Sequence, residues 1–240
     1  MRIVTIIPAY NEEKTIKEVV EVALKYSDVL VVDDGSTDNT FSIANKSGSL
    51  VIKHDKNLGK GAAIKTGFKN ALDNEYEIFV VMDGDGQHDP EFISALVSKM
   101  DDADIVIGSR FKGSDPDSMP VQRRFSNKLT TEIIKFVTGY HITDSQSGFR
   151  SFSISAARVF SDIIYDDYRY ESEMFFQALK YKMVIKEQQI FCKYQDEKSH
   201  ITWIHVLNYI IFVFKLLLRK YQNKGYFSFK SSTKKNSKEN

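Results

Sequence analysis

Residues 83–89 read DGDGQHD, three carboxylates and an amide in seven positions directly after the apolar run IFVVM. At an effective dielectric of about 20, two like charges roughly 4 Å apart cost about 4 kcal/mol. A cation among them would remove that cost. In an extended chain, residues two apart project to the same side about 6.7 Å apart, and Asp83, Asp85 and Gln87 share that parity. Oxygen-only ligands suit a hard divalent ion, Mg²⁺ or Mn²⁺, which keeps waters and shares itself with substrate phosphates. Gly84 and Gly86 let a ligand come close to the backbone. A solvated acidic turn capping a helix that begins near Pro90 is the competing reading of these residues alone.

Three further polar clusters follow apolar runs in the same way. They are PAYNEE at 8–13, DDGSTDNT at 33–40 with Asp33, Asp34 and Asp38, and NLGKGAA at 57–63. In the last, Lys60 stands between two glycines at an expected helix start, a setting that suits phosphate. The common cofactor signatures are missing. No G-x-G-x-x-G follows the first apolar run, no G-x-x-x-x-G-K-[ST] occurs, and the five histidines form no H-E-x-x-H.

The elements that must position these residues show in the pattern. RIVTII, VLVVD, LVIKH, EIFVVMD and DIVIGS are apolar runs of strand length with little polar alternation, as in a sheet covered on both faces. Between the first two, Ile16, Val19, Val20, Ala23 and Leu24 fall at helical spacing, with Asn11 as the expected N-cap. Strands alternating with helices predict an α/β fold with a mostly parallel, doubly wound sheet and helices on both faces. Ligands on such sheets bind beyond the carboxyl ends of the strands, where PAYNEE, DDGSTDNT and DGDGQHDP fall. Farther on, helices are expected near 120–138 and 171–182, flanking DSQSGFRSFS, and MVIKEQQIFCKY reads as a strand.

Bulk composition sets limits. Hydrophobic content of 42% and charged content of 27% are those of a globular protein. Lys and Arg (33) nearly balance Asp and Glu (32), so no overall field draws the chain to nucleic acid. The single cysteine, Cys192, excludes an internal disulfide and fits a reducing compartment. The start, MRIVTIIPAYNEE, is too soon acidic for a signal peptide and reads as a first strand. Nothing in the sequence speaks to oligomeric state.

Taken in order, IIPAYNEE, VVDDGS, NLGKGAA and DGDGQHDP resemble glycosyltransferase family 2, whose members are inverting enzymes with a GT-A fold. GSRF, DSQSGFR, YESEM and DEKSH extend the resemblance to the polyprenyl-phosphate branch, which includes dolichol-phosphate mannosyltransferase. The resemblance implies that Pro8, Tyr10, Glu12, Val32 and Asp34 hold base and ribose. It implies that Lys60, Asp83, Gly84, Asp85 and Arg110 meet the diphosphate and sugar, and that Asp85 and Gln87, with Asp83 beside them, ligate Mg²⁺ or Mn²⁺. Arg123, Arg124, Ser147, Arg150 and Lys198 are expected at the acceptor phosphate, and Asp85, Arg110 and Lys198 in catalysis. The mannosyltransferases of the branch carry an Arg shortly before the late Lys, where this chain has Lys193. UDP-glucose, UDP-N-acetylglucosamine and GDP-mannose remain open as donors.

A lipid monophosphate is already anionic, with a second pKa near 6, so the polyprenyl (dolichyl) phosphate acceptor requires no general base. Should a base be needed after all, Asp144 and Glu173 are the residues expected to act. A glycan or protein acceptor would need one, and a sugar-phosphate nucleotidyltransferase would show a Gly-rich basic loop after the first strand. The expected organisation is a catalytic domain over 1–200, with a nucleotide-sugar half at 1–112 and an acceptor half at 113–200. A C-terminal amphipathic helix at 201–221 and a basic disordered tail at 222–240 follow. On that helix His205, Asn208, Lys215 and Arg219 form one stripe opposite an apolar face, which predicts peripheral attachment to the cytoplasmic face of a membrane.

Overall fold

The computed structural model describes residues 1–113, 119–167 and 169–192. The expected helix at 201–221, the tail at 222–240, Lys193 and Lys198 lie outside the described residues.

The strands are β1 (Ile3–Ala9), β2 (Asp28–Asp33), β3 (Leu50–Lys53), β4 (Ile78–Val81), β5 (Ile105–Ser109), β6 (Arg150–Ser153) and β7 (Ile185–Gln189). They form one seven-stranded sheet in the order β3-β2-β1-β4-β6-β5-β7. The helices are α1 (Ile16–Ala23), α2 (Thr40–Lys46), α3 (Lys60–Asp73), α4 (Ile93–Val97), α5 (Val121–Thr138), α6 (Ile154–Phe160) and α7 (Arg169–Tyr181).

Successive strand residues point to opposite faces, and here both faces are apolar. Ile6, Leu30, Val32, Phe79 and Phe152 pack on one side with Phe68 of α3, Phe160 of α6 and Phe175 of α7. Ile7, Val31 and Val80 pack on the other with Val20 of α1 and Leu96 of α4. This two-sided burial explains the unbroken apolar runs, since a sheet with a wet face would have alternated.

One expectation is corrected. Asn11 does not cap α1: it sits at φ 58°, its side chain accepts from the Thr37 N–H at 2.9 Å, and the helix begins only at Ile16. The short side chain was recruited by the neighbouring turn instead. The expected mostly parallel sheet is found, with one strand reversed. β6 pairs antiparallel with both β4 and β5, placing Arg150 beside Val81 and Ile107. Because β6 runs against its neighbours, the segment leading into it, 144–149, reaches the same sheet edge as the loops leaving β4 and β5.

Candidate active site

β2, β1 and β4 are adjacent and parallel, so the loops leaving their carboxyl ends meet. Cross-turn hydrogen bonds fasten the first two. Asn11 N–H donates to Ser36 Oγ (2.9 Å), Glu12 N–H to Thr40 Oγ1 (2.8 Å) and Glu13 N–H to Asp38 Oδ2 (3.1 Å). Thr15 Oγ1 donates to the Gly84 carbonyl at 2.7 Å, tying the DGD loop to α1. Between the loops lies a cavity of about 370 Å³, lined by Pro8, Ala9, Tyr10, Glu12, Asp34, Asn57, Lys60, Ala63, Asp83, Gly84 and Asp85. Nearly every residue expected at the nucleotide sugar from the first four motifs is in that lining. Val32 is the exception, since its side chain is fully buried in the core beneath.

Asp34 is the hub of the cavity's far wall. Its carboxylate accepts from His54 Nδ1 (2.7 Å), Leu58 N–H (2.9 Å) and Gly59 N–H (2.8 Å). These bonds bend the 54–59 segment so that α3 starts over the cavity. Gly59 makes the bend at φ 102°, where a Cβ would stand 2.4 Å from the Asp166 carbonyl oxygen. His54 and Asn57 were not foreseen at the cavity; the only hint is their place, His54 three residues before the NLGKGAA motif and Asn57 opening it.

Lys60, the first residue of α3, ion-pairs with Asp83 (2.6 Å) and Glu171 of α7 (2.8 Å). Burial opposes ionisation of Asp83, but the Lys60 ammonium, with smaller contributions from His88 and Arg110, holds its carboxyl at about 2. Burial likewise opposes the charge on Lys60, and the two carboxylates overcome it, so its pKa lies above the usual lysine value. Asp83 is thus clamped. One oxygen lies on Lys60, and the other packs against Gly148, where a Cβ would be 2.5 Å away. That contact brings DSQSGFR onto the DGD loop.

Asp83, expected among the metal ligands, is therefore placed in an ion pair, while Asp85 lines the cavity and its Oδ1 accepts the Gln87 N–H at 2.9 Å. Among the described residues no group of three His, Cys, Asp or Glu is arranged to cage an ion. A carboxylate and an amide suit a cation that takes its remaining ligands from water and diphosphate oxygens. That is the behaviour of Mg²⁺, and the donor set fits it.

Arg110, just after β5, is buried and bound end to end by Asp144, with Nε to Oδ2 at 2.7 Å and Nη2 to Oδ1 at 2.9 Å. Asp144 is itself placed by β7, whose Glu187 accepts the Thr143 and Asp144 N–H groups at 2.7 and 3.2 Å. Of the residues expected at the acceptor, Ser147 and Arg150 are turned inward. Arg150 donates to the carbonyls of Ser147 (2.8 Å), Ser145 (2.9 Å) and Glu171 (3.4 Å), and its guanidinium lies over the Phe175 ring. Ser147 Oγ accepts the Phe149 N–H. These two hold the turn together. Arg123 and Arg124 sit half-buried in the first turn of α5. Arg123 lies near the site, for the Cys192 thiol, pushed up to about 12 chiefly by burial, feels Arg110, Asp144, Asp85 and Arg123 together. Glu173 is buried and accepts from Gln177 Nε2.

Residues 4–161 match the family described as Glycosyl transferase family 2. Over 215 residues the chain is 37% identical to UDP-N-acetylglucosamine–dolichyl-phosphate N-acetylglucosaminyltransferase of Methanococcus voltae, covering 80% of this chain and 85% of that enzyme. Over 167 residues it is 33% identical to undecaprenyl-phosphate mannosyltransferase of Micrococcus luteus, covering 66% and 69%. In fold it is similar to glucosyl-3-phosphoglycerate synthase of Mycobacterium tuberculosis in complex with Mn²⁺, uridine diphosphate and phosphoglyceric acid. That superposition has a TM-score of 0.68 and 19% identity, and covers 91% of this chain and 78% of the other. Mixed sheet, flanking helices and four motifs in order agree with the GT-A fold: the chain belongs to glycosyl transferase family 2, in the branch that holds the polyprenyl-phosphate enzymes.

Proposed function

We propose that this glycosyltransferase moves a sugar, with inversion at the anomeric carbon, from a nucleotide sugar to a polyprenyl phosphate at the cytoplasmic face of a membrane. The observation that carries the reading is the meeting, at one sheet edge, of the Lys60–Asp83 pair, Asp85 and the Arg110–Asp144 pair. Cations and carboxylates there serve a diphosphate that leaves with growing negative charge.

The chain's own residues divide the work. Tyr10, Glu12 and Asp34 border the end of the cavity assigned to base and ribose, and Lys60 and Arg110 stabilise the departing diphosphate. Asp83 orients Lys60 and meets the sugar. Asp85 and Gln87 would hold Mg²⁺ or Mn²⁺, which supplies Lewis-acid stabilisation of the leaving group when bound. Arg123 and Arg124 of α5, both half-buried, are assigned to the acceptor phosphate; Lys198 is assigned to it from sequence. Asp144 spends both oxygens on Arg110, and Glu173 is buried. Neither is placed to take a proton from a sugar hydroxyl. An acceptor already anionic needs no such group, which favours lipid phosphate over a glycan.

The test is a set of radiolabelled nucleotide sugars (UDP-N-acetylglucosamine, UDP-glucose, GDP-mannose) offered with short polyprenyl phosphates and with Mg²⁺, Mn²⁺ or chelator. Transfer to the lipid phosphate with one donor, abolished by chelator, is expected. Transfer only to free glycans, or undiminished transfer in chelator, contradicts the reading.

A further inference from the structure

A second cavity, away from the nucleotide-sugar cavity, gathers positive charge. It has a volume of about 390 Å³ and is lined by Lys99, Lys112, His141, Ile185, Lys186 and Glu187. The lysines come from three separate stretches. Lys99 stands just after α4, Lys112 two residues beyond Arg110, and Lys186 within β7.

Two of the ammonium groups meet on one oxygen. Lys112 Nζ donates to the Glu187 carbonyl at 2.6 Å, and Lys99 Nζ donates to the same carbonyl at 3.2 Å. The two charges therefore lie within two hydrogen-bond lengths of each other. Like charges held that close repel, and a neutral carbonyl does not cancel the repulsion. Burial, and after it the Lys112 and Lys186 charges, bring the Lys99 ammonium below the usual lysine value.

The one acidic side chain in the lining is spent elsewhere. Glu187 Oε1 accepts the Thr143 and Asp144 N–H groups at 2.7 and 3.2 Å, and Oε2 accepts the Thr143 hydroxyl at 2.9 Å. Asp102 pairs with Lys186 but is outside the lining. β7 is an edge strand, and lysines on an edge deter pairing with another chain. A single lysine on a carbonyl serves that purpose. Two on the same carbonyl, with a third lysine and His141 around one hollow, carry more positive charge than the lining balances.

We infer that this cavity is a binding site for a phosphate-type dianion, distinct from the nucleotide-sugar cavity. An ammonium has three N–H donors, so Lys99 and Lys112 keep donors beyond the one each gives to Glu187. Compact charges on flexible stems suit a tetrahedral oxyanion, whereas a planar carboxylate is better matched by the arginine fork. The site backs onto the reaction centre. Glu187 offers its carbonyl to the lysines, and its side chain holds the N–H of Asp144, the partner of Arg110.

Equilibrium dialysis of the full chain against radiolabelled inorganic phosphate tests the site, run alone and with excess uridine or guanosine diphosphate and Mg²⁺ filling the other cavity. Phosphate is expected to stay bound beside the nucleotide. Lys99→Met/Lys112→Met is expected to bind it at least about tenfold more weakly, and Lys99→Arg/Lys112→Arg, which keeps both charges, to retain it. Should the methionine pair fail to fold, Lys112→Gln alone, at an exposed side chain, is expected to weaken binding several-fold. Diphosphate and a soluble short-chain phosphatidic acid serve as competitors. Displacement at lower concentration by diphosphate supports the site with a free anion as its source, and by phosphatidic acid supports it with a lipid headgroup. Absence of phosphate binding, complete displacement by the nucleotide, or equal binding by wild type and the methionine or glutamine variants overturns the proposal and leaves an adventitious ion only.

Discussion

Asp144 grips Arg110 through two parallel hydrogen bonds of 2.7 and 2.9 Å, and accepts a third from the Arg110 backbone N–H at 3.1 Å. Burial works against the charge on Asp144, but the guanidinium overcomes it and keeps the carboxyl below its usual value. Removing one partner of a buried pair strands the other, at a cost of about 3–5 kcal/mol.

Asp144→Asn is therefore expected to lower stability by about that amount at neutral pH, read by urea denaturation, and to weaken donor binding as Arg110 loses its orientation. A carboxyl depressed in the folded state contributes stability that is present above about pH 3.9, its unfolded value, and lost as pH falls below it. The gap between wild type and variant should narrow as pH falls from about 4 through the depressed folded value of Asp144. Unchanged stability with abolished turnover would instead mark Asp144 as a base and argue for a hydroxyl acceptor.

Gly148→Ala tests the contact between the DSQSGFR turn and the DGD loop. A Cβ there would lie 2.5 Å from Asp83 Oδ2, so carboxylate or turn must shift. We expect a stability loss of about 1–3 kcal/mol, as for other overpacked sites, and a fall of at least tenfold in kcat/KM. A variant with wild-type kinetics would show that Asp83 need not keep its place.

Lys60→Met leaves Asp83 and Glu171 facing each other without the ammonium between them. Calorimetric titration with nucleoside diphosphate and Mn²⁺ should show affinity reduced by at least about tenfold, in line with the loss of a charge-assisted hydrogen bond. If Lys60 serves only to join α3 to α7, stability will drop while affinity holds.

Much of this could be read in the chain because its strands are buried on two faces. Runs such as VLVVD and EIFVVMD signal such strands without ambiguity, and the polar residues that end them necessarily collect at one edge. Pro8, Tyr10, Glu12, Asp34, Lys60, Asp83 and Asp85 were recognisable for that reason. β6 was not, because Arg-Ser-Phe-Ser carries no apolar run; its place in mid-sheet is secured by pairing on both sides. Arg150 and Ser147 look like phosphate ligands by type, yet long-range packing spends them on the backbone. Residue type cannot tell a guanidinium aimed at carbonyls from one aimed at a substrate. Asn11 shows the same ambiguity at smaller scale, equally suited to a helix start or to the turn that took it.

The reversed direction of β6 separates two kinds of change that this architecture tolerates. The cavity is lined from loops that leave strands running one way, whereas 139–149 leads into a strand running the other. Residues added or lost there would reshape the receiving side of the reaction while the ladder of β4 and β6 keeps its register. Divergence toward a new acceptor can proceed in that stretch with little disturbance to the donor grip.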